Sequence, residues 1–184
     1  RITAWPKHLD FDISPVLNLF AQFYTSTESF VSSSADFQIL TLGEKQSLYE
    51  RNLHGVLNLY ATFVFCMAGM FSGSANERIL ASVYDVNTCR RTKRISSQLD
   101  FDPTMVKLML FILTFSSNCY MIEMHESTHR DALMLGTFRL LGSQNRYIEI
   151  LWRYMLYRYE YMEAAKRLLA LVKSVLDLLA MSGE

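Results

Sequence analysis

His125-Glu126-Ser127-Thr128-His129 is the one stretch of this chain whose residue types and spacing match a catalytic motif. On a helix, two histidines four apart share a face and can hold Zn²⁺, with the glutamate as general base for a bound water. The surroundings argue against that chemistry. A zinc-hydrolase motif helix is buried beneath its metal and has uncharged flanks, whereas Glu123, Arg130 and Asp131 place charge on both sides here. Ala132 and Leu135 stand where the longer form of the motif needs Gly and a third His. Glu149 is far enough along to be a third ligand, but nothing singles it out. A polar surface turn or an exposed helix is the preferred reading, and a zinc-dependent hydrolase using His125, Glu126 and His129 is the alternative. No Ser/His/Asp arrangement, Gly-rich phosphate loop or paired-carboxylate site is visible. The expectation is therefore a non-enzyme without metal or cofactor.

Other chemistry-bearing residues are sparse. Cys66, Cys89 and Cys119 are odd in number and widely spaced, which suits neither a zinc site nor a disulfide framework, so a reducing compartment is the simpler expectation. Eighteen Lys and Arg balance eighteen Asp and Glu. A phosphate-gripping domain carries a basic excess, so this segment is not expected to bind nucleic acid by itself. The run Arg90, Arg91, Lys93 and Arg94 reads as a solvated loop in preference to a localisation signal. A chain that begins at Arg1 with no leader is expected to be a piece of a longer protein.

The elements that would position such residues are helical. At 184 residues, 51% hydrophobic and with ten methionines, the chain suits a single domain with a large core, an internal cavity, or both. Ser14-Pro15 and Asp102-Pro103 each set a capping side chain before a proline at a first helical position. The first helix should fade near Ser32-Ser33-Ser34. A second should start at Thr41, with Glu44 at capping-box spacing, and run to about Phe71. Residues 72–100 read as irregular, with Ile79–Val83 a candidate short strand. Pro103 to about Phe115, Ser143–Tyr159 and Glu163–Ala180 read as helices. From Asn52 to Asn76 there is no charged side chain. Such a run is either a membrane span or a helix enclosed on all sides by protein; the polar Asn58 and Thr62 and the glycines favour the enclosed helix.

Phe37, Leu40, Glu44 and Leu48 stand at the spacing of a signature that resembles nuclear receptor ligand-binding domains, with Lys45 where that family usually has Gln. Leu99-Asp100-Phe101-Asp102-Pro103-Thr104, with the apolar run ending at Thr114-Phe115, is similar to the family's eighth helix. The segment from Gly136 to Tyr154 resembles the ninth-helix region of the divergent nematode group of orphan nuclear receptors. The resemblance implies an all-α, three-layer antiparallel helical sandwich over residues 1–184, with the charge-free helix as its filling. By the same resemblance the chain is expected to lack the start of the domain and the final activation helix. It also implies a transcription-factor regulatory domain in the nucleus, reaching DNA only through an upstream domain.

Carried over by position, the resemblance assigns a ligand pocket to Val16, Leu19, Phe20 and Phe23, and to Leu53, His54, Leu57, Ala61 and Val64. Val64 replaces an arginine that pairs with a ligand carboxylate in retinoid-binding members, so a neutral, lipophilic ligand is expected. A core closed by Phe20 and Phe23 is the other possibility, and His54 meets either a ligand hydroxyl or a neighbouring carbonyl. The co-regulator groove maps to Ser32, Glu44, Leu48 and Glu50. Ser32 and Glu50 stand where the family has basic residues, which argues against standard coactivator docking. Leu168, Leu171, Val172, Val175 and Leu179 form either a homo- or heterodimer interface or more core.

Overall fold

Proline, capping and punctuation residues divide the chain into helices. A computed structural model describes residues 14–72, 80, 86–97, 102–116 and 130–182. The first helix, α1, runs Ser14–Ser32 and ends at the expected serine cluster. A single-turn helix, α2, follows at Ala35–Gln38. The central helix, α3, spans Leu42–Met67 and starts with both halves of a capping box: the Glu44 N–H donates to Thr41 Oγ1 at 3.3 Å, and the Thr41 N–H donates to Glu44 Oε2 at 2.8 Å.

α3 stops four residues before Phe71 because Gly69, at φ +68°, turns the chain out of the helix. The Met70 N–H donates to Phe65 O at 2.9 Å and the Gly69 N–H to Cys66 O at 3.0 Å, the paired bonds of a Schellman termination. Helix α4 covers Val86–Ser96, α5 Pro103–Thr114, α6 Arg130–Arg158 and α7 Tyr161–Ser182. The protein is all-helical among the described residues.

Three readings of the sequence need correction. The stretch 72–100 is not irregular throughout: its basic run Arg90, Arg91, Lys93 and Arg94 lies on α4, whose charged face is exposed and whose buried positions are Ile95 and Ser96. Of the candidate strand Ile79–Val83 only Leu80 is described, and its backbone is helical. Helix α6 also begins well before Ser143, since Gly142 is absorbed into the helix on its exposed side.

The part of the charge-free stretch from Asn52 to Met67 lies on a central helix: α3 packs against α1, α4, α5, α6 and α7. Its Val56 and Leu59 join Met105, Met109 and Leu113 of α5, Leu151 and Met155 of α6, and Leu171 and Val175 of α7 in one core. A second cluster gathers Val31, Phe37, Leu40, Leu48, Phe115 and Leu140. Three positions of the quoted signature, Phe37, Leu40 and Leu48, meet there, which gives their spacing a packing cause. No helix among the described residues is long and apolar enough to cross a membrane.

Candidate functional site

One turn after another, α3 presents His54, Asn58, Ala61, Thr62 and Phe65 along a single face. That face borders a cavity of about 250 Å³. Thr88, Cys89 and Thr92 of α4 form the facing wall, and Leu178 of α7, Leu80 and Phe71 close the apolar remainder. Among the described residues, no Asp, Glu, Lys or Arg lines it. The described walls therefore combine hydroxyl, amide and imidazole groups with an apolar surround, and carry no fixed charge of their own.

Two cysteines lie in or near this region, both half-buried and outside any disulfide. Burial raises the Cys66 pKa, with a hydrogen bond to the Ser96 side chain acting in the opposite direction. A thiol held protonated is a poor nucleophile. Cys89 is a wall residue of the cavity.

Of the nine residues assigned to a pocket, His54 and Ala61 line this cavity. Phe23 does not; it is buried behind it, edge-on to Phe65 at 5.8 Å and to Tyr60 at 5.7 Å. Leu57 is buried and Val64 half-buried, neither in the cavity wall. Leu53 borders a separate void of only about 10 Å³. Val16, Leu19 and Phe20 belong to α1, but their side chains lie outside the described residues. The sequence reading missed Asn58, Thr62 and Phe65, which the helical repeat starting from His54 could have supplied. It missed Thr88, Cys89 and Thr92 because α4 was read as loop.

No family model matches the chain, and no curated protein or solved structure matches it.

The co-regulator positions divide between surface and interior. Glu50 is exposed and accepts from Gln46 Nε2 at 3.1 Å, while the Ser32 and Tyr49 hydroxyls share a 3.0 Å hydrogen bond. Glu44 and Leu48, by contrast, are buried. For Glu44, burial acts to raise the carboxyl pKa, but the Thr41 backbone and side-chain hydrogen bonds and the Arg139 charge outweigh it and the net shift is downward.

The dimer positions divide in the same way. Leu171 and Val175 are 3% exposed and belong to this chain's own core, and Leu168 and Leu179 are half-buried against it. Only Val172 of the five is exposed, and its neighbours on that side are Leu169 and Leu176. Helix α7 packs one stripe inward and presents another outward.

His125, Glu126 and His129 lie outside the described residues. Among the described residues no group of three His, Cys, Asp or Glu could hold a metal ion.

Proposed function

We propose that this chain is the ligand-responsive regulatory domain of a nuclear-receptor transcription factor, non-enzymatic, working in the nucleus and built as the three-layer helical sandwich of that family. The carrying observation is the cavity between α3, α4 and α7, whose described walls are uncharged. It supports the reading because a regulatory ligand must interact differently with two arrangements of the domain, and a ligand enclosed by three helices touches all three at once. The central position of α3, and the meeting of Phe37, Leu40 and Leu48 in one cluster, support the fold assignment.

The cavity narrows the ligand class. At about 250 Å³ it lies just under the roughly 300 Å³ at which pockets for drug-sized molecules begin, so a compact neutral lipophile fits better than a full sterol. An ionised carboxylate would lose its hydration without gaining a cationic partner among the described walls. His54, Asn58 or Thr62 would orient a hydroxyl or carbonyl on the ligand. Dimerisation would use the outward stripe of α7, and contact with DNA an upstream domain.

The test is thermal stability in the presence of a series of small neutral lipophiles and their carboxylate analogues. A ligand at 100 times its Kd that binds only the folded state adds about 2.7 kcal/mol to apparent stability. Stabilisation by neutral members, lost in Ala61→Phe, is the expected pattern. Uniform absence of stabilisation, or stabilisation by the carboxylates alone, sinks the reading.

A further inference from the structure

On the side of α3 away from the first cavity lies a second void, of about 140 Å³, between α1, α3 and α5. Tyr60 and Phe63 of α3 reach it; at 100° per residue they project opposite to Ala61 and Phe65. Phe30 of α1 adds a third ring, and Val106 and Leu110 of α5 complete an apolar wall.

One polar group in this wall has nothing to bond. Thr27 is 2% exposed, and its Oγ1 has no hydrogen-bond partner among the described residues. Threonines inside helices usually return the hydroxyl to the carbonyl one turn back. Thr25 does so to Ala21 O at 3.0 Å, and Thr114 to Leu110 O at 2.8 Å. Thr27, which lines the void, does not. A buried hydroxyl without a partner costs on the order of its full desolvation, which a ligand able to bond it would recover.

We infer that this second void is a binding site for a phenolic ring, distinct from the cavity between α3, α4 and α7. The size is the first reason: an apolar cavity of about 150 Å³ accepts a single benzene ring. Its three aromatic walls are the second, since rings pack against rings in offset or edge-on geometry. The third is Thr27, whose hydroxyl both donates and accepts and so pairs with a phenol O–H in either sense. Lys107 and Ser26 also line the void and are exposed, which leaves an open side where the rest of a larger phenolic molecule would emerge.

The test uses 4-methylphenol and toluene, two rings of matched shape that differ by the hydroxyl. Binding is followed through NMR shifts of the Val106 and Leu110 methyl groups in the wild type, in Thr27→Val and in Ala61→Phe. Thr27→Val keeps the shape and removes the orphan hydroxyl, so it should fold at least as well as the wild type. The expected result is that Thr27→Val lowers the preference for 4-methylphenol over toluene by about fivefold to tenfold, the worth of one buried hydrogen bond. Ala61→Phe, which fills the other cavity, should leave that preference intact and so separates this site from the one proposed above. Methyl groups that do not shift with either ring overturn the assignment. So does a preference unchanged in Thr27→Val, which would mean the hydroxyl has turned back to its own helix.

Discussion

Arg146 Nη1 donates to Asp36 Oδ1 at 3.1 Å across 110 residues of sequence, tying the single-turn helix α2 to the middle of α6. Beside it, the hydroxyls of Ser34 and Tyr147 share a hydrogen bond of 2.9 Å. Asp36 is buried while the guanidinium is largely exposed, so solvent screens the pair from one side. Arg146→Ala leaves the Asp36 carboxylate buried without its cation. The expected loss is about 1 kcal/mol, at the low end for stranding a buried charged group because water can enter where the arginine was. Urea denaturation of the two proteins measures it; equal midpoints would mean that water already serves the carboxylate as well.

Asp102 gathers four donors. Its carboxylate accepts from the N–H groups of Thr104 at 2.8 Å and Met105 at 3.1 Å, from the Tyr154 hydroxyl at 2.9 Å and from Arg158 at 2.8 Å. Burial acts to raise its pKa, but the backbone bond from Met105, the Tyr154 bond, the Thr104 bond and the Arg158 charge together outweigh it, and the net pKa is lowered. A lowered native pKa means the folded state releases the proton more readily than the unfolded chain. The stability gained is fully present above the ordinary carboxylate value and is lost as pH falls through the native one. Asp102→Asn is therefore expected to be less stable near neutral pH, by about 1 kcal/mol or more. Its deficit should shrink as pH falls below about 4. Thermal melts from neutral to acid pH check this; parallel curves would contradict it.

Gly142 sits on an exposed side inside α6, has no positive φ, and a Cβ added there meets nothing within 4 Å. Glycine in such a place only adds backbone freedom to the unfolded chain. Gly142→Ala should stabilise the protein by about 0.5–1 kcal/mol. A higher urea midpoint with unchanged slope is the expected reading, and a lower one would mean that another surface needs this position bare.

Gly142 also illustrates what the sequence conceals. Helix starts announced by chemistry were legible: Thr41 with Glu44, and Asp102 before Pro103, cap their helices as their spacing predicts. So was the central place of the helical part of the charge-free run, which packs among α1, α4, α5, α6 and α7 while His54 and Met67 stay exposed. Helices that lack an apolar face were not legible. Helix α4 offers the core little beyond Ile95, so its pattern matches a loop, and the cavity wall that it supplies was lost with it. Position alone found His54 and Ala61, but it could not tell which of Leu53, Leu57 and Val64 turn toward other helices. That depends on how α3 is rotated against its neighbours, a tertiary property.

The outward stripe of α7 carries the last prediction. Leu169 is 72% exposed, Leu176 59% and Val172 39%, and their spacing puts them on one side of the helix. On α6 and at the start of α7, Leu156, Tyr157, Tyr161 and Met162 are exposed as well. Scattered apolar residues on a surface are ordinary, whereas a contiguous stripe along a helix is the kind of surface that contacts between proteins use. A second copy of the chain meeting it about a two-fold axis would bury each stripe against its twin. Leu169→Glu with Leu176→Glu would then set like charges facing one another across the axis. Sedimentation velocity should find a concentration-dependent dimer in the wild type and a monomer in the double variant, with the folded content unchanged because neither side chain belongs to the core. Leu171→Ala supplies the contrast. Its side chain is buried in the core that α7 shares with α3 and α5, so its removal should cost about 2–5 kcal/mol of stability. A wild type that stays monomeric at high concentration would assign the stripe to a different partner or to none. A double variant that unfolds would mean that these leucines support the fold after all.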